Sequence, residues 1–123
     1  MKFTLESANA DYVFGHYGDG KLTVNETAYN TSLIIFPDKL TTDWPVNSLE
    51  ELDISHFQEI IDRQPDIALL GTGATQKFPA PPLRRALIDA GLNLEVMDTA
   101  AACRTYNLLV SEGRDVAAAV IIF

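Results

Sequence analysis

The sequence predicts an α/β fold in three layers: a central mixed, mostly parallel sheet flanked by helices, with a β-hairpin layer added. Three observations carry that prediction. Gly18-Asp19-Gly20 is a turn signal between two short aromatic and β-branched runs near the start. From Ser55 onward, helical and strand patterns alternate as they do in βα units. The closing run, residues 116–123, is apolar and rich in alanine, so something must pack tightly over it.

Taken in order, residues 12–17 and 21–25 read as the two arms of the hairpin, and 32–36, apolar and β-branched, as the next strand. Pro37-Asp38 opens a loop carrying Thr41, Thr42, Asp43, Trp44 and Pro45, with the period of neither helix nor strand. Residues 55–63 read as a short helix with Phe57, Ile60 and Ile61 on one face. Ser55-x-x-Gln58 resembles a capping box at its start, and Pro65 ends it. Residues 67–70 are too short and too continuously apolar for anything but a buried strand. A helix over 82–90 starts on proline and stops at Gly91, a strand follows over 94–97, and the longest helix, 99–111, stops at Gly113. Strands joined by crossover helices should run parallel, which the hairpin arms cannot do. If the last strand were an edge, it would invite pairing between copies of the chain.

The 123 residues, 47% of them hydrophobic, suit one domain over 1–123 with a single packed core. Seventeen Asp and Glu against nine Lys and Arg give a net charge of -8, which excludes nucleic acid and an anionic membrane surface as favoured partners. Cys103 is the sole cysteine, so no intramolecular disulfide or cysteine-only metal site can form. No stretch has the length of a signal peptide core or a bilayer span. A cytoplasmic protein is expected, meeting membranes only peripherally, through a partner. His16 and His56 lie far apart without a third ligand pattern, so neither metal nor cofactor is expected.

Two turns concentrate the candidates for chemistry. Gly71-Thr72-Gly73 follows one buried strand and Asp98-Thr99 follows the next; the carboxyl ends of parallel strands border the crevice that ligands occupy in open α/β sheets. The helix starting at Thr99 points free N–H groups there, a place for a small anion, and carries Cys103 and Asn107 at intervals of four. A dinucleotide fingerprint, however, needs glycine where Gln76 stands, and the Gly-Lys-Ser/Thr ending of a phosphate loop is absent. A structural turn accounts for the glycines. Helix capping accounts for Asp98 or Thr99, and burial as a small hydrophobe for Cys103, although Arg104 or a histidine could in principle activate its thiol. Asp53, Ser55 and His56 sit on one helix start and cannot converge as a triad. Trp44 is either packed on the core or a contact anchor for a partner.

One succession goes further: Asp66 to Gly71-Thr72-Gly73, Phe78-Pro79, Gly91, Glu95 to Asp98-Thr99, Ala102-Cys103-Arg104-Thr105-Tyr106-Asn107-Leu108-Leu109, and Glu112-Gly113-Arg114. It resembles the domain-of-unknown-function family four-nine-eight, which includes small archaeal and bacterial proteins and the mitochondrial complex I assembly factor of animals. The hairpin, Leu33 to Pro37 and Trp44 extend the likeness over nearly the whole chain. The resemblance implies a three-layer α/β fold, no established enzymatic activity, and a non-catalytic interaction, assembly or maturation role with protein partners at a membrane complex. It adds Tyr106 to Gly71, Thr72, Gly73, Asp98, Thr99 and Asn107 as family-motif positions. No mitochondrial presequence is recognisable, so a bacterial or archaeal member is expected. The alternative is an anion-binding or enzymatic site in the crevice between residues 71–73 and 98–107.

Overall fold

Three antiparallel strands, β1 (Phe14–Gly18), β2 (Lys21–Val24) and β3 (Thr27–Tyr29), form a small sheet in the order β1-β2-β3. This is a computed structural model, and it describes residues 10–123; residues 1–9, part of the stretch read for a leader, lie outside it. A second sheet has five strands: β4 (Leu33–Phe36), β5 (Lys39–Thr41), β6 (Ile67–Gly71), β7 (Leu94–Met97) and β8 (Val116–Val120), in the order β5-β4-β8-β6-β7. β6 pairs in parallel with β7 and β8, while β4 pairs antiparallel with β5 and β8. The expected mixed sheet is therefore present. Three α-helices, α1 (Gln58–Arg63), α2 (Pro81–Asp89) and α3 (Thr99–Ser111), and two 3-10 turns, Leu49–Glu51 and Ile54–Phe57, complete the described chain.

The order of connections explains the layers. The chain steps outward from β6 through α2 to β7, then back past β6 through α3 to β8. With both crossovers right-handed, opposite steps put the two helices on opposite faces. Side chains confirm it by alternating along β8: Val116, Ala118 and Val120 join a core with Cys103 and Tyr106 of α3, while Ala117 and Ala119 join one with Ile60 of α1 and Leu87 of α2. All five β8 residues are buried, and its alanines let both layers close on the sheet. The small sheet lies on the α3 side, contributing Phe14, Leu22 and Val24.

The structure adds two strands that the sequence reading treated as loop. β3 extends the hairpin to three strands through the turn at Asn25-Glu26, with Asn25 at φ 55°, and β5 folds back on β4 across Pro37-Asp38. Each is three residues long, too short to show a period. The cap near Ser55 is also shifted. A 3-10 turn, Ile54–Phe57, precedes α1, and its cap is Asp53, whose carboxylate accepts from the Ser55 N–H at 2.8 Å while its own N–H donates to His56 Nδ1 at 3.0 Å. Asp53 wins because an aspartate oxygen reaches the second residue on without distorting the chain. β8 is central and stops pairing at Val120, so it offers no edge to a second copy.

Candidate functional site

The two turns named above do meet. Thr72 N–H donates to the Met97 carbonyl, Thr99 N–H to that of Gly73, and Ile121 N–H to that of Gly71, each at 2.9 Å. At the centre lies Thr99, fully buried: its hydroxyl accepts the Gly73 N–H at 2.9 Å and donates to the Ile121 carbonyl at 2.7 Å. One side chain thus satisfies groups from two other segments. Thr72 Oγ1 donates to the Thr75 carbonyl at 2.7 Å and accepts the Lys77 N–H at 3.1 Å, closing the turn after β6. Asp98 caps α3, its Oδ1 accepting the Ala101 N–H at 2.8 Å.

The two glycines have different reasons. A Cβ on Gly71 would stand 2.9 Å from Thr99 Oγ1, 3.0 Å from Thr99 Cα and 3.1 Å from Val120 Cγ1, so glycine permits the close approach of α3. A Cβ on Gly73 would meet nothing within 4 Å; there the backbone, at φ +100°, is what excludes other residues.

Farther along α3, Cys103 and Tyr106 are fully buried. Burial pushes the Cys103 thiol from its ordinary value of 9.0 up to about 12, only weakly opposed by Arg104, so the thiolate a nucleophile needs is suppressed. The Tyr106 hydroxyl donates to the Tyr12 carbonyl at 2.9 Å, and its ring meets Phe14 edge-on. Asn107 pairs with Phe14 as a neighbouring strand would: its Oδ1 accepts the Phe14 N–H at 2.9 Å and its Nδ2 donates to the Phe14 carbonyl at 2.8 Å. These residues fasten the small sheet to α3. Among the described residues, no buried side-chain nitrogen or oxygen lacks a hydrogen-bond partner.

Trp44 faces inward, 5% exposed, with Nε1–H donating to the His56 carbonyl at 2.9 Å and its ring edge-on to Phe57. Of the two readings kept for it, packing on the core is the one its position serves. Among the described residues, no group of three or more His, Cys, Asp or Glu side chains could hold a metal ion.

Open surface lies where the sequence reading placed no site. The segment entering α2 and the outer face of that helix border a groove of about 450 Å³ lined by Phe78, Pro79, Pro81, Arg84, Arg85 and Ile88. Phe78 is 59% exposed and Ile88 52%; Ile54 and Leu108 are the other large apolar side chains exposed among the described residues, and Phe78 and Ile88 are the pair that share a groove. The Arg84 guanidinium lies 5.2 Å from the centre of the Phe78 ring. A second hollow, lined by Leu49, Leu52 and Leu83 among others, shares Phe78 as its wall. The available signal was Phe78 between a polar stretch and three prolines, outside any apolar period.

Residues 14–121 match the family described as "Protein of unknown function (DUF498/DUF598)". The chain belongs to this family. A protein from Bordetella parapertussis has a crystal structure that superposes with a TM-score of 0.85 at 34% identity, covering 94% of this chain and 99% of that one. The "13 kDa major membrane protein" of Francisella tularensis is 32% identical over 122 residues, 98% of this chain and 99% of its own. The "NADH dehydrogenase [ubiquinone] 1 alpha subcomplex assembly factor 3" of Xenopus tropicalis is 29% identical over 120 residues. That alignment takes 95% of this chain but 65% of the assembly factor, so the chain spans about two thirds of that relative. Among the described residues of this family member, no helix is long and apolar enough to cross a membrane.

Proposed function

We propose that the chain is a non-catalytic assembly or maturation factor that acts through a protein partner on a membrane complex of the respiratory NADH dehydrogenase type. The observation that carries this reading is likeness over nearly the full chain to proteins named as assembly factors of that complex. The candidate crevice supports it. Gly71, Thr72, Gly73, Asp98, Thr99, Cys103, Tyr106 and Asn107 each have a structural task, and the one thiol among them is held protonated. The chain works from the cytoplasm, reaching the membrane through its partner. Its Francisella relative is named a membrane protein, which fits a membrane-associated assembly.

The test is genetic and biochemical. In native cells lacking the chain, native gels of solubilised membranes should show the mature respiratory complex depleted and partial assemblies accumulating, with restoration by the reintroduced chain. Unchanged complexes in the deletion strain would refute the reading. Fractionation tests the location: a chain that stays in the membrane pellet without any partner would overturn the cytoplasmic assignment.

A further inference from the structure

We propose that the groove at α2 is the docking site for a segment of the partner protein that carries a large apolar side chain flanked by Asp or Glu. This rests on the interaction reading above and adds the surface and the chemistry of its occupant. Phe78 and Ile88 leave an apolar floor open to solvent, where a matching side chain would be desolvated on binding. Arg84 and Arg85 line the same groove, and Lys77 is exposed beside it.

Charge decides the occupant. The chain is acidic overall, yet no Asp or Glu occurs from Ile67 to Ile88, and three of its nine Lys and Arg fall in that stretch. The ion pairs of the described residues involve Lys39, His56 and Arg63, and none takes up Lys77, Arg84 or Arg85. Their charge is available to a visitor. Carboxylates bound the basic region on two sides: Glu50 lines the adjoining hollow, and exposed Asp89 follows Ile88 at the end of α2. Arg side chains beside an exposed aromatic are the composition of energetically dominant interface patches, and a planar guanidinium fork suits a carboxylate. A protein segment is favoured over an anionic membrane because the net charge of -8 would repel a charged sheet of lipid, while a short acidic segment meets only the local field.

The experiment pans short random peptides displayed on phage against the purified chain, then titrates the winners by fluorescence anisotropy. Peptides with Asp or Glu beside a large apolar residue should be enriched. Their affinity should fall at least ~10-fold in Arg84→Glu/Arg85→Glu and in Phe78→Ser, and should weaken with added salt. Melting temperatures of both variants should match the parent, since the altered side chains are exposed. Acid-poor winners, or equal affinity for parent and variants, would overturn the proposal. So would self-association abolished by Phe78→Ser, or adsorption to equimolar phosphatidylcholine and phosphatidylglycerol vesicles that requires the arginines. Tagged parent and variant in native cells separate the two readings. A partner held by both refutes the groove alone, whereas no partner held by the parent refutes the interaction reading beneath it.

Discussion

The glycine turn that packs on Thr99 and the groove around Phe78 both follow β6, with Gly73 and Phe78 five positions apart in sequence, and they have opposite character. At the junction, three segments exchange backbone and side-chain hydrogen bonds around one buried hydroxyl. At the groove, an aromatic ring, an isoleucine and two arginines face solvent with no carboxylate among the residues lining them. Glycines, a capping aspartate and a buried threonine are thus the marks of a chain folding tightly on itself. Surface left for something else is marked by apolar side chains that no neighbour covers.

Alkali should separate the regions most strongly. Cys103 and Tyr106, behind the junction, both have ionisations raised by burial, so the folded state holds their protons more tightly than the unfolded chain. The stability this confers is complete below about pH 9 and is lost as pH climbs toward 12, at up to about 1.4 kcal/mol per pH unit for the thiol. Guanidinium melts from neutral to alkaline pH should show that slope. A thiol reagent that labels the native protein at pH 8 as fast as free cysteine would break the comparison.

Thr99→Val should cost about 3 kcal/mol, because it strands a buried N–H and a buried carbonyl together. Gly71→Ala should cost about 2 kcal/mol, since one of the atoms it meets is backbone and cannot swing away. For Asp98→Ala the loss is that of a single helix cap, about 1 kcal/mol. Urea melts rank the three; a neutral Thr99→Val would show that the junction is looser than its geometry. The smallest effect belongs to the groove, where Arg85→Ala should leave stability within about 0.5 kcal/mol of the parent. A larger loss there would mean that the groove is part of the packing after all.

Much of the fold was legible where signals are local. α3 runs over the residues expected, because Asp98 at its start and Gly113 past its end act within one turn of themselves. β3 and β5 were not legible: three residues show no period, and what makes them strands is the partner across the turn. The site divides the same way. Burial of Cys103 follows from its alanine-rich surroundings, but the strand-like pairing of Asn107 with Phe14 spans 93 residues of sequence. Trp44 stays open between core packing and partner contact in sequence because its loop has no pattern; in the fold its ring is held by Phe57 and its N–H by the His56 carbonyl. For the groove the sequence offers only Phe78 outside any apolar period, since its exposure depends on what the rest of the chain fails to place over it.

β8 comes last of the eight described strands yet lies between β4 and β6. During synthesis, the pair β4-β5 and the pair β6-β7 therefore emerge from the ribosome as separate halves, each with one bare flank. Neither can pair with the other until Val116–Val120 has emerged to sit between them. Nascent chains that end before β8 should be open to chaperones and to wrong strand partners, and the two cores, each of which takes side chains from β8, should close only once it has joined.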